Sequence, residues 1–123
     1  MDPPGTEWLK SQKNYQDAVR ELKLTPQEQY AYQHHLNNLA KGGVRQPNGE
    51  ISTYLSKSYG FGKKTYMLPS VWDNQIINDD KEIIRRAREA GMARWPSYNS
   101  EKEAEKRYQD IHKYMERDHA IAK

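Results

Sequence analysis

Two histidine arrangements and one stretch of glycine, aromatic and lysine residues are the places where this sequence offers chemistry. His34 and His35 are adjacent, so on a helix they point in different directions. His112 and Glu116 lie one helical turn apart and present two ligands to a single metal ion. Two ligands do not close a site, and histidine on a mostly polar helix is expected to be solvated, so no metal centre is predicted. Residues 57–72, KSYGFGKKTYMLPSVW, suggest a phosphate cradle at first sight. A P-loop needs G-x-x-x-x-G-K-[ST] leading into a helix, whereas Gly60-Phe61-Gly62 runs into strand-like residues. The RNA-recognition signature matches the glycines of Tyr59-Gly60-Phe61-Gly62, but Lys63 and Lys64 stand where that strand needs apolar residues. The stretch therefore reads as a hairpin tip. The serines form no G-x-S-x-G elbow, and the carboxylates are expected on solvated helix faces without a buried acid pair. No catalytic residue, no cofactor and no enzymatic activity are predicted.

Composition narrows the class of protein. A chain of 123 residues with no internal shift of composition is the size of one small domain. Its hydrophobic fraction is 35%, its mean hydropathy is −1.18 and its charged fraction is 30%. The private core must be thin. Nine tyrosines and three tryptophans supply much of the buriable area, and such side chains suit surfaces packed at one edge and wet at the other. Without cysteine, disulfides, thiolate catalysis and cysteine-ligated metals are excluded. No leader-like N-terminus and no membrane-length apolar run is present, so a soluble chain made in the cytoplasm is expected. The net charge of +3 is concentrated: Lys41, Arg45, Lys57, Lys63 and Lys64 face only Glu50 between residues 41 and 72.

The elements follow from period and punctuation. Residues 7–23 carry Trp8, Leu9, Tyr15, Ala18, Val19 and Leu22 at helical spacing, after the extended lead Asp2-Pro3-Pro4-Gly5. Thr25-Pro26-Gln27-Glu28 is a capping box with proline at the first helical position, and Gly42-Gly43 stops that helix, whose face carries Tyr32, Leu36 and Leu39. The runs ISTYLSKSY and KKTYMLPSVW predict two strands joined at Gly60-Phe61-Gly62, with a turn at Asp73-Asn74 and a third short strand at Gln75-Ile76-Ile77. Pro69 confines the second strand to an edge or ends it near Leu68. Asn78 caps a helix with Ile83, Ile84, Ala87 and Ala90 on its buried stripe, ended by Gly91. Ser100-Glu101-Lys102-Glu103 opens the last helix, with Ala104, Tyr108, Ile111 and Met115 on its stripe. The prediction is an α+β fold: a small antiparallel hairpin or three-stranded sheet flanked by two N-terminal and two C-terminal helices. Residues 1–24 are read as a docking arm and residues 25–123 as the domain.

The run Lys64-Thr65-Tyr66-Met67-Leu68-Pro69-Ser70-Val71-Trp72-Asp73-Asn74, a helix, Trp95-Pro96-Ser97-Tyr98, and then Glu103-Ala104-Glu105-Lys106-Arg107-Tyr108 with Ile111-His112 carry a resemblance. Together they resemble a small module of virion-associated proteins of tailed bacteriophages, in which a TY-x-x-P-[ST]-VWDG-like strand precedes two helices. Gly42-Gly43-Val44 and Pro47-Asn48-Gly49 resemble the start of that module. The likeness covers roughly residues 25 to 118, and Asn74 stands where the motif has glycine. It implies a structural or ejected component of a virion, and it brings no catalytic residue with it.

Three functions are open at this stage. A virion part, held in a multi-copy symmetric assembly, would dock on head, neck or tail proteins through exposed Trp8, Tyr54, Tyr59, Phe61, Tyr66 and Trp72. A DNA-contacting virion protein would use Arg45, Lys57, Lys63 and Lys64. An enzyme acting on the cell envelope is the third, and no motif argues for it.

Overall fold

Thr25 begins the second helix as the sequence requires. Its hydroxyl accepts from the Glu28 N–H, and the Glu28 carboxylate accepts from the Thr25 N–H. The computed structural model describes residues 6–122, and the side chains of residues 12–120. The lead at residues 1–5 lies outside the described residues. Four α-helices run over Thr6–Leu22 (α1), Pro26–Ala40 (α2), Asp80–Ala90 (α3) and Glu101–Ala122 (α4) among the described residues. Helix α2 ends as predicted: the Gly42 and Gly43 N–H groups donate back to the Leu39 and Asn38 carbonyls, with Gly42 at φ 99. The cap of α3 is Asp79, one residue later than expected, because its carboxylate rather than Asn78 accepts from the Lys81 N–H.

The strands are shorter and more numerous than the sequence pattern suggests. Val44–Arg45 (β1) pairs with Ile51–Ser52 (β2), and Ser56–Phe61 (β3) pairs with Lys64–Pro69 (β4), both antiparallel. Val71–Trp72 (β5) pairs with Gln75–Ile76 (β6). The run ISTYLSKSY is therefore not one strand. Pairing with β1 stops at Ser52, Thr53 and Tyr54 lie between β2 and β3, and Leu55 turns the chain at φ 42. Ser70 fixes that turn, its N–H donating to the Tyr54 carbonyl and its hydroxyl to the Leu55 carbonyl.

Pairing of β3 with β4 continues through Gly60 and Phe61, so the tip is Gly62-Lys63 rather than Gly60-Phe61-Gly62. Gly62 sits at φ 61, where a two-residue hairpin turn needs glycine. The third strand of this sheet is Ser97–Tyr98 (β7), which pairs with Thr65 and Tyr66 of β4. Residues 75–77, expected to supply it, instead close their own hairpin over Asp73-Asn74, both at positive φ. Pro69 is tolerated because β7 has ended before reaching it.

The sheet lies between two helices. Tyr59, Lys57 and Phe61 face α3, while Ser56 and Ser58 line the side toward α4. Helix α4 also packs on α1 and α2. The core gathers Ala18 of α1, Tyr32 and Leu36 of α2, Met67 and Leu68 of β4, Ile83 and Ala87 of α3, Trp95, and Ile111 and Met115 of α4. The boundary expected at residue 24 is absent from this packing. Ala18 is fully buried in the shared core, so the described part of α1 belongs to the domain and is no separate arm.

Candidate functional site

Two places in this fold gather chemistry. The first is the α3-facing side of the hairpin, where four of the ten predicted contact residues lie: Lys57, Tyr59, Phe61 and, paired with Tyr59, Tyr66. The Tyr59 hydroxyl donates to Asp80 at 2.6 Å, and burial followed by that carboxylate raises the phenol above its usual value. Arg88 lies over the Phe61 ring, and Phe61 packs edge-on to Tyr66. These three rings are half-buried and already in use within the fold. Trp72 turns inward on His34 and Trp95, and its indole N–H donates to the Pro69 carbonyl. Tyr54 is 1% exposed and donates to the Met67 carbonyl, so the expectation of an exposed Tyr54 anchor fails. The side chain of Trp8 lies outside the described residues.

The basic residues divide. Lys63 is exposed at the tip and Lys64 donates to Asn99. Lys57 approaches Asp80 at 3.8 Å, and Arg45 belongs to the separate β1–β2 pair. The four are therefore not one stripe along a single ladder.

The second place was expected to be solvent. His35 is fully buried, as is Asp118 of α4. Asp118 accepts from the Tyr32 hydroxyl at 2.7 Å and from Asn14 at 2.8 Å, and it lies 2.8 Å from His35 Nε2. A carboxylate only accepts, so His35 Nε2 carries the proton and donates. Burial pulls the His35 imidazole below its usual value, with Asp118 opposing, which keeps the ring neutral. Its Nδ1 then accepts from the Thr53 hydroxyl, and the Thr53 oxygen accepts from His119 Nε2 at 3.0 Å. One directional chain of hydrogen bonds thus runs from His119 through Thr53 and His35 to Asp118. Asn38 completes the joint by donating to the Thr53 and Val71 carbonyls.

A cavity of about 350 Å³ opens beside this chain. Thr53, Tyr54, Leu55, Tyr108, His112, Glu116 and His119 are among its lining. The His112–Glu116 pair noted in the sequence forms here at 3.5 Å, and among the described residues no group of three or more His, Cys, Asp or Glu side chains is placed to hold a metal. Burial pushes the Tyr108 phenol up to about 12, so it remains a neutral hydroxyl.

A second buried carboxylate was also missed. Glu28 is 2% exposed and accepts from Arg107, the Thr25 N–H and the Tyr98 hydroxyl. Burial opposes its ionisation, but Arg107, Thr25 and Tyr98 outweigh that and hold the carboxyl below its usual value. Asp118 and His35 each carried a signal. Asp118 continues the apolar stripe of Ile111 and Met115 at the next helical step, and His35 lies beside Tyr32 and Leu36 on the stripe of α2. A polar residue on an apolar stripe must find a partner. Comparison with known protein families, with curated proteins and with solved structures gives no match.

Proposed function

We propose that this chain is a non-enzymatic component of a tailed-bacteriophage particle, present in several copies and docked on neighbouring virion proteins through the α3-facing side of its hairpin. The virion context comes from the resemblance of the TYMLPSVWDN strand and the helices after it. The docking face rests on one observation. Phe61 and Ile84 meet in a shallow concavity of about 530 Å³ whose other lining residues are Lys81, Arg85, Arg88 and Glu89. An apolar floor with a mostly basic rim suits an apolar anchor flanked by carboxylates on a partner.

Phe61→Ala combined with Arg88→Glu is expected to leave helix content by circular dichroism unchanged and to remove the protein from purified particles, as read by mass spectrometry. Full incorporation of this variant ends the proposal. DNA contact is the second reading, favoured by exposed Lys63 next to Lys64 at the hairpin tip. It requires an affinity for duplex DNA that falls steeply with salt, and no binding at low salt removes it.

A further inference from the structure

The cavity beside His119 has a polarity of its own. It is bounded by the Ile51–Leu55 segment on one side and by the C-terminal half of α4 on the other. Two carboxylate residues, Glu50 and Glu116, line it, and among the described residues no lysine or arginine does, although the whole chain carries +3. The hydroxyl donors at its floor are committed inside the fold. Thr53 donates to His35, and Tyr54 donates to the Met67 carbonyl. Asp118, beneath the floor, is already met by Asn14, Tyr32 and His35 and is no acceptor for a ligand. Tyr108 and Leu55 add apolar surface, Tyr108 with its ring tilted against His112 and Leu55 as the one exposed large hydrophobic side chain among the described residues.

A concavity that offers carboxylate acceptors, an aromatic ring and an exposed aliphatic edge, with histidine as the one basic residue type among its described lining, suits a positively charged donor on an apolar stem. We propose that it is the receptor site for an arginine or lysine side chain of a partner protein. The aliphatic stem lies along Leu55 and Tyr108, where an aromatic face also attracts a cation. The charged head donates to Glu50 and Glu116, displacing His112 from its 3.5 Å contact with Glu116. The volume of about 350 Å³ accommodates a single side chain rather than a folded element. This contact is independent of the hairpin face, and either stands if the other fails.

The test uses the full-length ¹⁵N-labelled chain near neutral pH. It is titrated with acetyl-Gly-Arg-Gly-amide, with acetyl-Gly-Glu-Gly-amide and with N-acetylglucosamine, and amide shifts are followed. The arginine peptide is expected to produce saturable shifts at Thr53, Tyr54, His112 and Glu116 that weaken with added salt, and the other two probes none. Glu50→Gln and Glu116→Gln change exposed side chains, so the fold is expected to survive, with unchanged circular dichroism. Each should weaken the arginine peptide roughly tenfold, the loss of one charge-assisted bond. Absence of saturable shifts, equal shifts from the acidic peptide or the sugar, or full binding by both variants overturns the proposal.

Discussion

Arg107 shows what one side chain does in a thin core. Its guanidinium bonds both oxygens of Glu28 and the Leu22 carbonyl, tying α4 to the start of α2 and the end of α1. Removing it leaves a carboxylate that is 2% exposed without its counter-charge. Arg107→Met is therefore expected to lose about 3 kcal/mol or more of stability in urea melts, because a buried ion pair costs most when only one partner goes. The double variant Glu28→Gln, Arg107→Met should recover part of that loss. Equal stability of wild type and Arg107→Met would show that Glu28 finds solvent or another donor. The residue scale is also where sequence reading was weakest. Glu28 was legible as half of a capping box, yet its second role needs Tyr98 and Arg107, which lie 70 and 79 residues away.

Elements were more legible than contacts, because caps and periods are local. The box at Thr25, the glycines after α2 and the stripe of α3 each follow from residues within one or two turns. The strands were harder, since a β-rich run does not announce where it bends. Leu55 turns only because Ser70, 15 residues further on, holds its carbonyl. Gly43 illustrates a local rule with a distant reason. It sits at φ 64, and a Cβ there would lie 2.5 Å from Ile51 Cγ2 and 3.2 Å from the Ser52 carbonyl oxygen. Gly43→Ala is expected to cost roughly 2 kcal/mol, combining left-handed strain with displacement of β2. Gly42→Ala, with open space around its Cβ, should cost less, and thermal melts of the two variants check that order.

At the scale of the whole molecule, the buried imidazoles make stability depend on pH. Burial lowers both His34 and His35 from 6.5. Above 6.5 folded and unfolded chains both hold neutral rings, and this contribution is complete. As pH falls through 6.5 the unfolded chain takes up protons that the folded one refuses, so stability declines until the lower folded values are passed. The melting temperature is expected to drop between about pH 7 and about pH 5, and His35→Gln should flatten that slope. A slope unchanged by His35→Gln would place the proton uptake elsewhere. Glu28, lowered from 4.5, adds a second loss only at more acid pH, as its folded value is passed. Among the described residues no helix is long and apolar enough to cross a membrane.

Asn14 of α1 and Asp118 of α4 are 104 residues apart and joined at 2.8 Å. The carboxylate that orients Tyr32 and His35 thus belongs to the final turns of the described chain, while the residues it orients are made early. During synthesis α1 and α2 leave the ribosome well before α4 and cannot complete their core without it. Closure of this core waits for α4, because a contact of such long sequence separation costs loop-closure entropy before it returns any stability.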